Sequence, residues 1–248
     1  MTEEARQDPM TLRGRVALVT GGSGGIGQAV ALALAAEGAA VAVSYSSQPD
    51  AAGQVVSRIA ARGGRAVALG ADLRTAEAPG QLVSAAEDAL GPIDVLVSNA
   101  GRGQRRPLEE ISAAEFDETM VVNLRAPFLL AQRVLPPMAE RGFGRALFVS
   151  SVAAFTGGII GPHYAASKAG LHGLIHSLAS QFAADGITVN GLAPALITGT
   201  GLLPGEPDGL AQRIPVGRLG RPAEVADLAL AILRNAYVTS QVISVDGG

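Results

Sequence analysis

Arg15-Val16-Ala17-Leu18-Val19-Thr20 runs directly into Gly21-Gly22-Ser23-Gly24-Gly25-Ile26-Gly27, and the reading of this junction decides the fold. An apolar, β-branched run that stops at clustered glycines and is followed by an Ala- and Leu-rich stretch reads as strand, tight turn and helix. Such glycines let backbone N–H groups and the helix N-terminus approach a pyrophosphate, so Gly21, Ser23, Gly25, Ile26 and Gly27 are candidate cofactor contacts. Gly21 to Gly25 also fits G-x-S-x-G, the strand-to-helix elbow that carries a hydrolase nucleophile. That alternative needs a base from elsewhere in the chain, yet His163, His172 and His176 are the only histidines and all fall in one predicted helix and its entry.

Outward from the junction, short β-branched runs alternate with longer helical segments, the pattern of a parallel sheet covered on both faces. Strands are expected at 15–20, 40–45, 66–70, 93–98, 145–150, 187–193 and 241–245. Helices are expected to start near Gly25, Pro49, Thr75, Ser112, Pro162 and Pro222, where proline or a hydroxyl cap often opens the first turn. The expected class is α/β: a single-domain Rossmann-type fold over 12–248, with a doubly wound parallel seven-stranded sheet and helices on both faces. The polar residues 1–11 read as a flexible leader, and the Gly-, Pro- and Leu-rich stretch 196–215 as a mobile flap leaving the carboxyl edge of the sheet.

Composition narrows the function. A chain of 248 residues with 48% hydrophobic content can bury one large core, and a net charge of -3 provides no positive footprint for nucleic acid. Apolar runs are broken well before the length a bilayer requires, so no membrane partner is expected. Cysteine is absent, which removes disulfide and thiolate chemistry, and with no export signal at the start the expected address is the cytosol. His172 and His176 share a helix face at metal-ligand spacing, but no third ligand accompanies them and no metal is expected.

The second strand ends in Tyr45-Ser46-Ser47, where a fold that prefers NAD usually places an acid on the ribose hydroxyls. With hydroxyls there instead, NADP(H) is the preferred cofactor and NAD(H) a possible one. Tyr164 and Lys168 stand four residues apart and so share one face of the helix opened by Pro162. Lys168 is the only lysine among 19 basic residues. Its ammonium would favour the phenolate, lowering a phenol that ordinarily titrates near pH ~10. Ser151, at the end of the fifth strand, could bring a second hydroxyl to the same carbonyl oxygen.

Together these residues resemble the short-chain dehydrogenase/reductases over nearly the whole chain, from Arg15 to Gly248. Thr20-Gly21 with Gly25-Ile26-Gly27 is similar to the family's cofactor turn, Asp72-Leu73 to its adenine contact, and Asn99-Ala100-Gly101 to its N-A-G motif. The resemblance implies that Asn123 supports a proton-relay water, Ser151 polarises the carbonyl, Tyr164 is the acid/base, and Lys168 also holds the nicotinamide ribose. It places Pro194 and Ile197 beside the carboxamide. Within the family the chain is most similar to bacterial β-ketoacyl-acyl-carrier-protein reductases, through Asn190 to Pro194 and the closing Val245-Asp246-Gly247-Gly248. Ala195, Gly199 and Gly24 depart from that group's usual residues, and of two places beside the pocket mouth where it tends to be basic, Arg141 is near one and Asp185 occupies the other. A free ketone or an acyl thioester are therefore both expected substrates, received by an apolar lining of Phe155, Ile159, Ile160, Leu196, Leu202 and Leu203. Two other functions stay open: a NAD-dependent alcohol or sugar dehydrogenase, and a dinucleotide-binding regulator without turnover. The resemblance also implies a homotetramer.

Overall fold

A computed structural model describes residues 10–201 and 209–248. All seven expected strands form: β1 (Val16–Val19), β2 (Ala40–Tyr45), β3 (Ala66–Gly70), β4 (Val95–Ser98), β5 (Gly144–Val149), β6 (Ile187–Pro194) and β7 (Val242–Val245). They make one sheet in the order β3-β2-β1-β4-β5-β6-β7, every neighbouring pair parallel. The order reverses between β1 and β4, and in such sheets the crevice at that point, outside the carboxyl ends, is where ligands sit.

Side-chain alternation along the strands feeds two cores. Leu18, Ala42, Leu96 and Phe148 face α3 (Ala78–Leu90), α5 (Ala126–Glu140) and α7 (Pro162–Phe182). Ala17, Val19, Val41, Val43 and Val97 face α1 (Gly25–Ala36), α2 (Pro49–Ala60) and α8 (Pro222–Arg234). Burying each Val, Leu or Ile side chain of this kind is worth roughly 1.5–3 kcal/mol, which is why strands covered on both sides lack the polar half of an amphipathic pattern.

Helix starts follow their caps with one shift and one surprise. Ser112 accepts from Glu115 N at 3.2 Å to open α4 (Ala113–Met120), as its hydroxyl suggested. Thr75 Oγ1 instead accepts from Ala78 N, so α3 begins three residues later than expected. The single helix expected from Ser112 is two: α4 passes through a π-helical stretch, Val121–Arg125, into α5. Pro127 has no N–H to offer the carbonyl of Asn123, four residues back, and the widened turn accommodates its ring. A short helix, α6 (Ala153–Thr156), also separates Ser151 from α7.

Of the expected leader, residues 1–9 lie outside the described residues, as do residues 202–208 of the expected flap. The flanks of the latter are tied down: Ile197 bridges Gly220, Thr198 N donates to the Gly220 carbonyl, and Ala211–Arg213 forms a 3-10 turn. Among the described residues no helix is long and apolar enough to cross a membrane, and no three His, Asp or Glu side chains gather around a metal position.

Candidate active site

The carboxyl ends of the strands open into a cleft of about 1430 Å³. Its cofactor half is built on the glycine turn. Gly24 precedes α1 without any side-chain cap, so the first N–H groups of a three-turn helix are left for a ligand, and Gly21, Ser23, Gly25 and Ile26 line the cleft at that point. Gly21 has φ +62°, and a Cβ on it would come within 3.0 Å of Ala100 Cα. Gly27 does not line the cleft. A Cβ there would sit 2.3 Å from the Gly21 carbonyl oxygen and 2.5 Å from Asn99 Nδ2, so this glycine lets helix and turn close on one another.

Asn99 knits the turn to the end of β4. Its N–H and that of Ala100 both donate to Thr20 Oγ1 at 3.0 Å, and its side-chain amide donates to the carbonyls of Thr20 and Gly21. Tyr45, Ser46, Ser47, Asp72, Leu73, Ala100 and Gly101 line the cleft as expected. Asp72 is less free than a ribose or adenine acceptor would be: its carboxylate takes three hydrogen bonds from the Arg74 side chain and backbone at 2.8–3.1 Å and a fourth at 2.6 Å. That guanidinium holds the carboxyl down at about 2. Arg74, which sequence reading passed over, lines the cleft and also reaches Glu118, which pairs with Arg102. Pro194 and Ile197 line the opposite wall, and Thr200, also unforeseen, brings Cγ2 to 3.0 Å from where a Cβ on Gly25 would be. Uncapped helix, close-packed glycines and a continuous cleft suit a dinucleotide.

The hydroxyls of Tyr164 and Ser151 lie on the same cleft wall, close enough for Ser151 to act on the phenol. Ser151 Oγ accepts from Ala153 N at 3.2 Å, the first turn of α6 holding it in place. Lys168 is 3% exposed; its Nζ donates to the Val149 carbonyl at 2.8 Å and lies 5.7 Å from the centre of the Tyr164 ring. Gly101 leaves room for it, since a Cβ there would press to 3.2 Å from Nζ. Tyr and Lys thus share a face, but the electrostatic expectation needs correction. Burial pushes the phenol up from its ordinary value, and the Ser151 hydrogen bond offsets this only in part. Burial also brings the ammonium down to about 8. Desolvation outweighs the attraction of a cation that donates to a main-chain carbonyl and lies 5.7 Å from the ring centre.

Asn123 is wholly buried in the π-helical stretch and does not line the cleft. Its Oδ1 accepts from Arg102 N, and Nδ2 donates to the Arg102 carbonyl and to Ser167 Oγ, all within 3.0 Å. The side chain is therefore spent on pinning the loop after β4 against α7. That loop packs on Tyr164: a Cβ on Gly103 would fall 2.7 Å from its Cδ2.

On the substrate side Ile159, Ile160 and Leu196 line the cleft, joined by Val152, Leu210 and Ile214. Leu202 and Leu203 lie outside the described residues. Phe155 does not belong to the lining: it is 56% exposed and stacks on His172 on the far side of α6. Arg141 is not at the mouth either, because its guanidinium donates to the Ile93 carbonyl, before β4 and at the amino end of the sheet. His163 neither lines the cleft nor caps the helix; it is 1% exposed and both ring nitrogens lack a hydrogen-bond partner. His172 and His176 part company, the first bonding Ser150 and the second Ser240.

The family model for short chain dehydrogenases matches residues 15–208. The chain is similar to a 3-oxoacyl-[acyl-carrier-protein] reductase of Synechocystis sp., 39% identical over 242 residues that cover 96% of this chain and 97% of that one. It is 35% identical to a 7alpha-hydroxysteroid dehydrogenase of Escherichia coli over 247 residues, 97% of this chain and 96% of the other. Among solved structures, a blue fluorescent protein from a metagenomic library in complex with NADPH superposes with a TM-score of 0.90 at 38% identity, covering 96% of this chain and 98% of that chain.

Proposed function

The chain belongs to the short-chain dehydrogenase/reductase family and is a nicotinamide-dependent oxidoreductase acting on CH–OH or C=O groups; on that premise we propose that it is an NADPH-dependent ketoreductase whose substrate is a β-ketoacyl thioester or a related ketone. The observation that carries this reading is the meeting of the Tyr164 and Ser151 hydroxyls, with Lys168 behind them, in the same cleft as the uncapped glycine turn.

Bound reduced nicotinamide supplies the hydride. Gly21, Ser23, Gly25 and Ile26, which line the cleft at the turn, would hold the pyrophosphate with backbone N–H groups, and Pro194 and Ile197 would meet the carboxamide. Ser151 and Tyr164 both donate to the carbonyl oxygen as it gains charge, and removing one such donor typically costs about 100-fold or more in turnover. A buried phenol with a raised pKa stays protonated at neutrality, which suits a proton donor in the reductive direction. Lys168 then stabilises the phenolate left behind, and the Asn123 carbonyl holds a water through which the proton is replaced.

NADPH is favoured over NADH because Ser46, Ser47 and the Arg74 guanidinium line the cleft beyond β2 and no acid ends that strand. Solved structures of similar chains that hold NADPH or NADP support the same preference. Ile159, Ile160 and Leu196 favour an apolar body beside the carbonyl. The homotetramer is supported by an apolar groove in which half-exposed Phe128 lies with Met120, Leu124 and Leu174. The test is NADPH oxidation with acetoacetyl-CoA, ethyl acetoacetate and a simple cyclic ketone. Turnover of the β-keto compounds is expected, fastest for the thioester. Oxidation of alcohols with NAD and no reduction of any β-keto compound would replace this reading with an alcohol dehydrogenase.

A further inference from the structure

His172 makes contacts that cofactor and substrate binding do not account for. It lies on α7 one turn beyond Lys168 and two beyond Tyr164, so the three share a face of that helix. Its Nε2 is 2.9 Å from Ser150 Oγ, and its ring packs on Phe155 with centres 4.7 Å apart and planes inclined at 46°. Ser150 immediately precedes Ser151, and Phe155 follows it by four residues. One imidazole therefore grips the chain on both sides of Ser151.

The direction of the polar contact follows from its surroundings. Ser150 is 3% exposed, and its hydroxyl proton is committed to the Lys168 carbonyl at 3.1 Å. With that proton on the Lys168 carbonyl the oxygen offers lone pairs to His172, which meets it in the Nε2–H tautomer; either sense of the bond joins the same two side chains. The chain Nε2–H to Ser150 Oγ to Lys168 carbonyl joins the end of β5 to the turn of α7 that presents Lys168. A hydrogen-bond chain of this kind fixes both elements at once.

We propose that His172 is a positioning residue that locks Ser151 to α7, and so holds the Ser151 and Tyr164 hydroxyls in register for a shared carbonyl oxygen. The proposal rests on the assignment of Ser151 and Tyr164 to the reaction. His172→Phe keeps a ring against Phe155 and loses the donor; His172→Gln keeps a donor at similar reach; Ser150→Ala removes the acceptor. NADPH-dependent turnover of acetoacetyl-CoA is expected to fall about ten-fold in kcat for His172→Phe, as small misplacements of reacting groups do. The KM for NADPH should stay within about two-fold, His172→Gln should recover most of the rate, and combining His172→Phe with Ser150→Ala should cost no more than either change alone. A lowered Tm with unchanged kcat in His172→Phe, or losses that multiply in the double variant, would overturn the proposal. If His172→Phe does not fold, His172→Gln against Ser150→Ala decides: a near-normal first and a slow second support it, and a slow first beside a normal second sinks it. Tyr164→Phe is measured in parallel. Turnover by that variant would end the site assignment and this proposal together, whereas a dead Tyr164→Phe beside a fully active His172→Phe would end the proposal alone.

Discussion

At the scale of single residues, Lys168 is the group whose placement and chemistry are hardest to reconcile. A chain with one lysine puts it in a dry site, where its charge is costly enough that it titrates near about 8. It is charged below that pH and neutral above it. If the ammonium holds the cofactor ribose, calorimetric NADPH binding should weaken as pH rises through about 8, and Lys168→Met should bind weakly with no such step. Arg74 provides a second residue-level test. Arg74→Ala should raise the Kd for NADPH about ten-fold and leave that for NADH nearly unchanged, as a phosphate contact worth about 1.4 kcal/mol would; equal losses for both cofactors would contradict the role. Tyr164, Lys168 and Ser151 were legible in sequence because helical spacing alone brings the first two together. The pKa of Tyr164 was not, since spacing says nothing of how much water is excluded. Phe155 was misplaced for a related reason: an apolar residue near Ser151 looks like pocket lining until α6 turns it outward onto His172.

Secondary-structure elements carry a different set of consequences. The glycine turn works as a unit with α1 and β4, and Gly27 is where they press closest. Gly27→Ala would drive a methyl into the Gly21 carbonyl and Asn99. Backbone crowding of this kind typically costs about 1–3 kcal/mol, so urea unfolding should show that loss and NADPH affinity should fall with it; an unperturbed midpoint would mean that the turn is looser than described. Asn123 belongs to the same scale. Its side chain joins the π-helical stretch, the loop after β4 and α7, so Asn123→Ala should raise the KM for the ketone as well as lower kcat. The strands and the starts of α1, α2, α4, α7 and α8 could be read from β-branched runs, prolines and hydroxyl caps. The π-helical junction could not, because one continuous helix is expected from Ser112 and nothing in its pattern marks the widened turn that takes in the Pro127 ring.

For the molecule as a whole, the site is built at some expense to stability. An unfolded Lys168 titrates at about 10.5 and the folded one at about 8. Between those values the unfolded chain holds a proton that the folded chain lacks, so stability rises with pH across that window and the penalty is fully present below about 8. A shift of this size corresponds to about 3 kcal/mol, and Lys168→Met should accordingly match or exceed the parent in stability at pH 7 while losing turnover. The advantage should shrink by pH 10. The two-sided sheet was legible because its strands are written mostly in apolar residues facing both cores, whereas the wall formed by Thr200 depends on how the segment after β6 folds back over α1. In the proposed reaction one phenol delivers the proton. Single-turnover reduction of acetoacetyl-CoA by the NADPH-loaded protein tests it most directly, comparing the parent with Tyr164→Phe. NADPH binding should be intact and the rate at least about 1000-fold slower in the variant; hydride transfer at the parent rate without that hydroxyl would rule Tyr164 out as the donor.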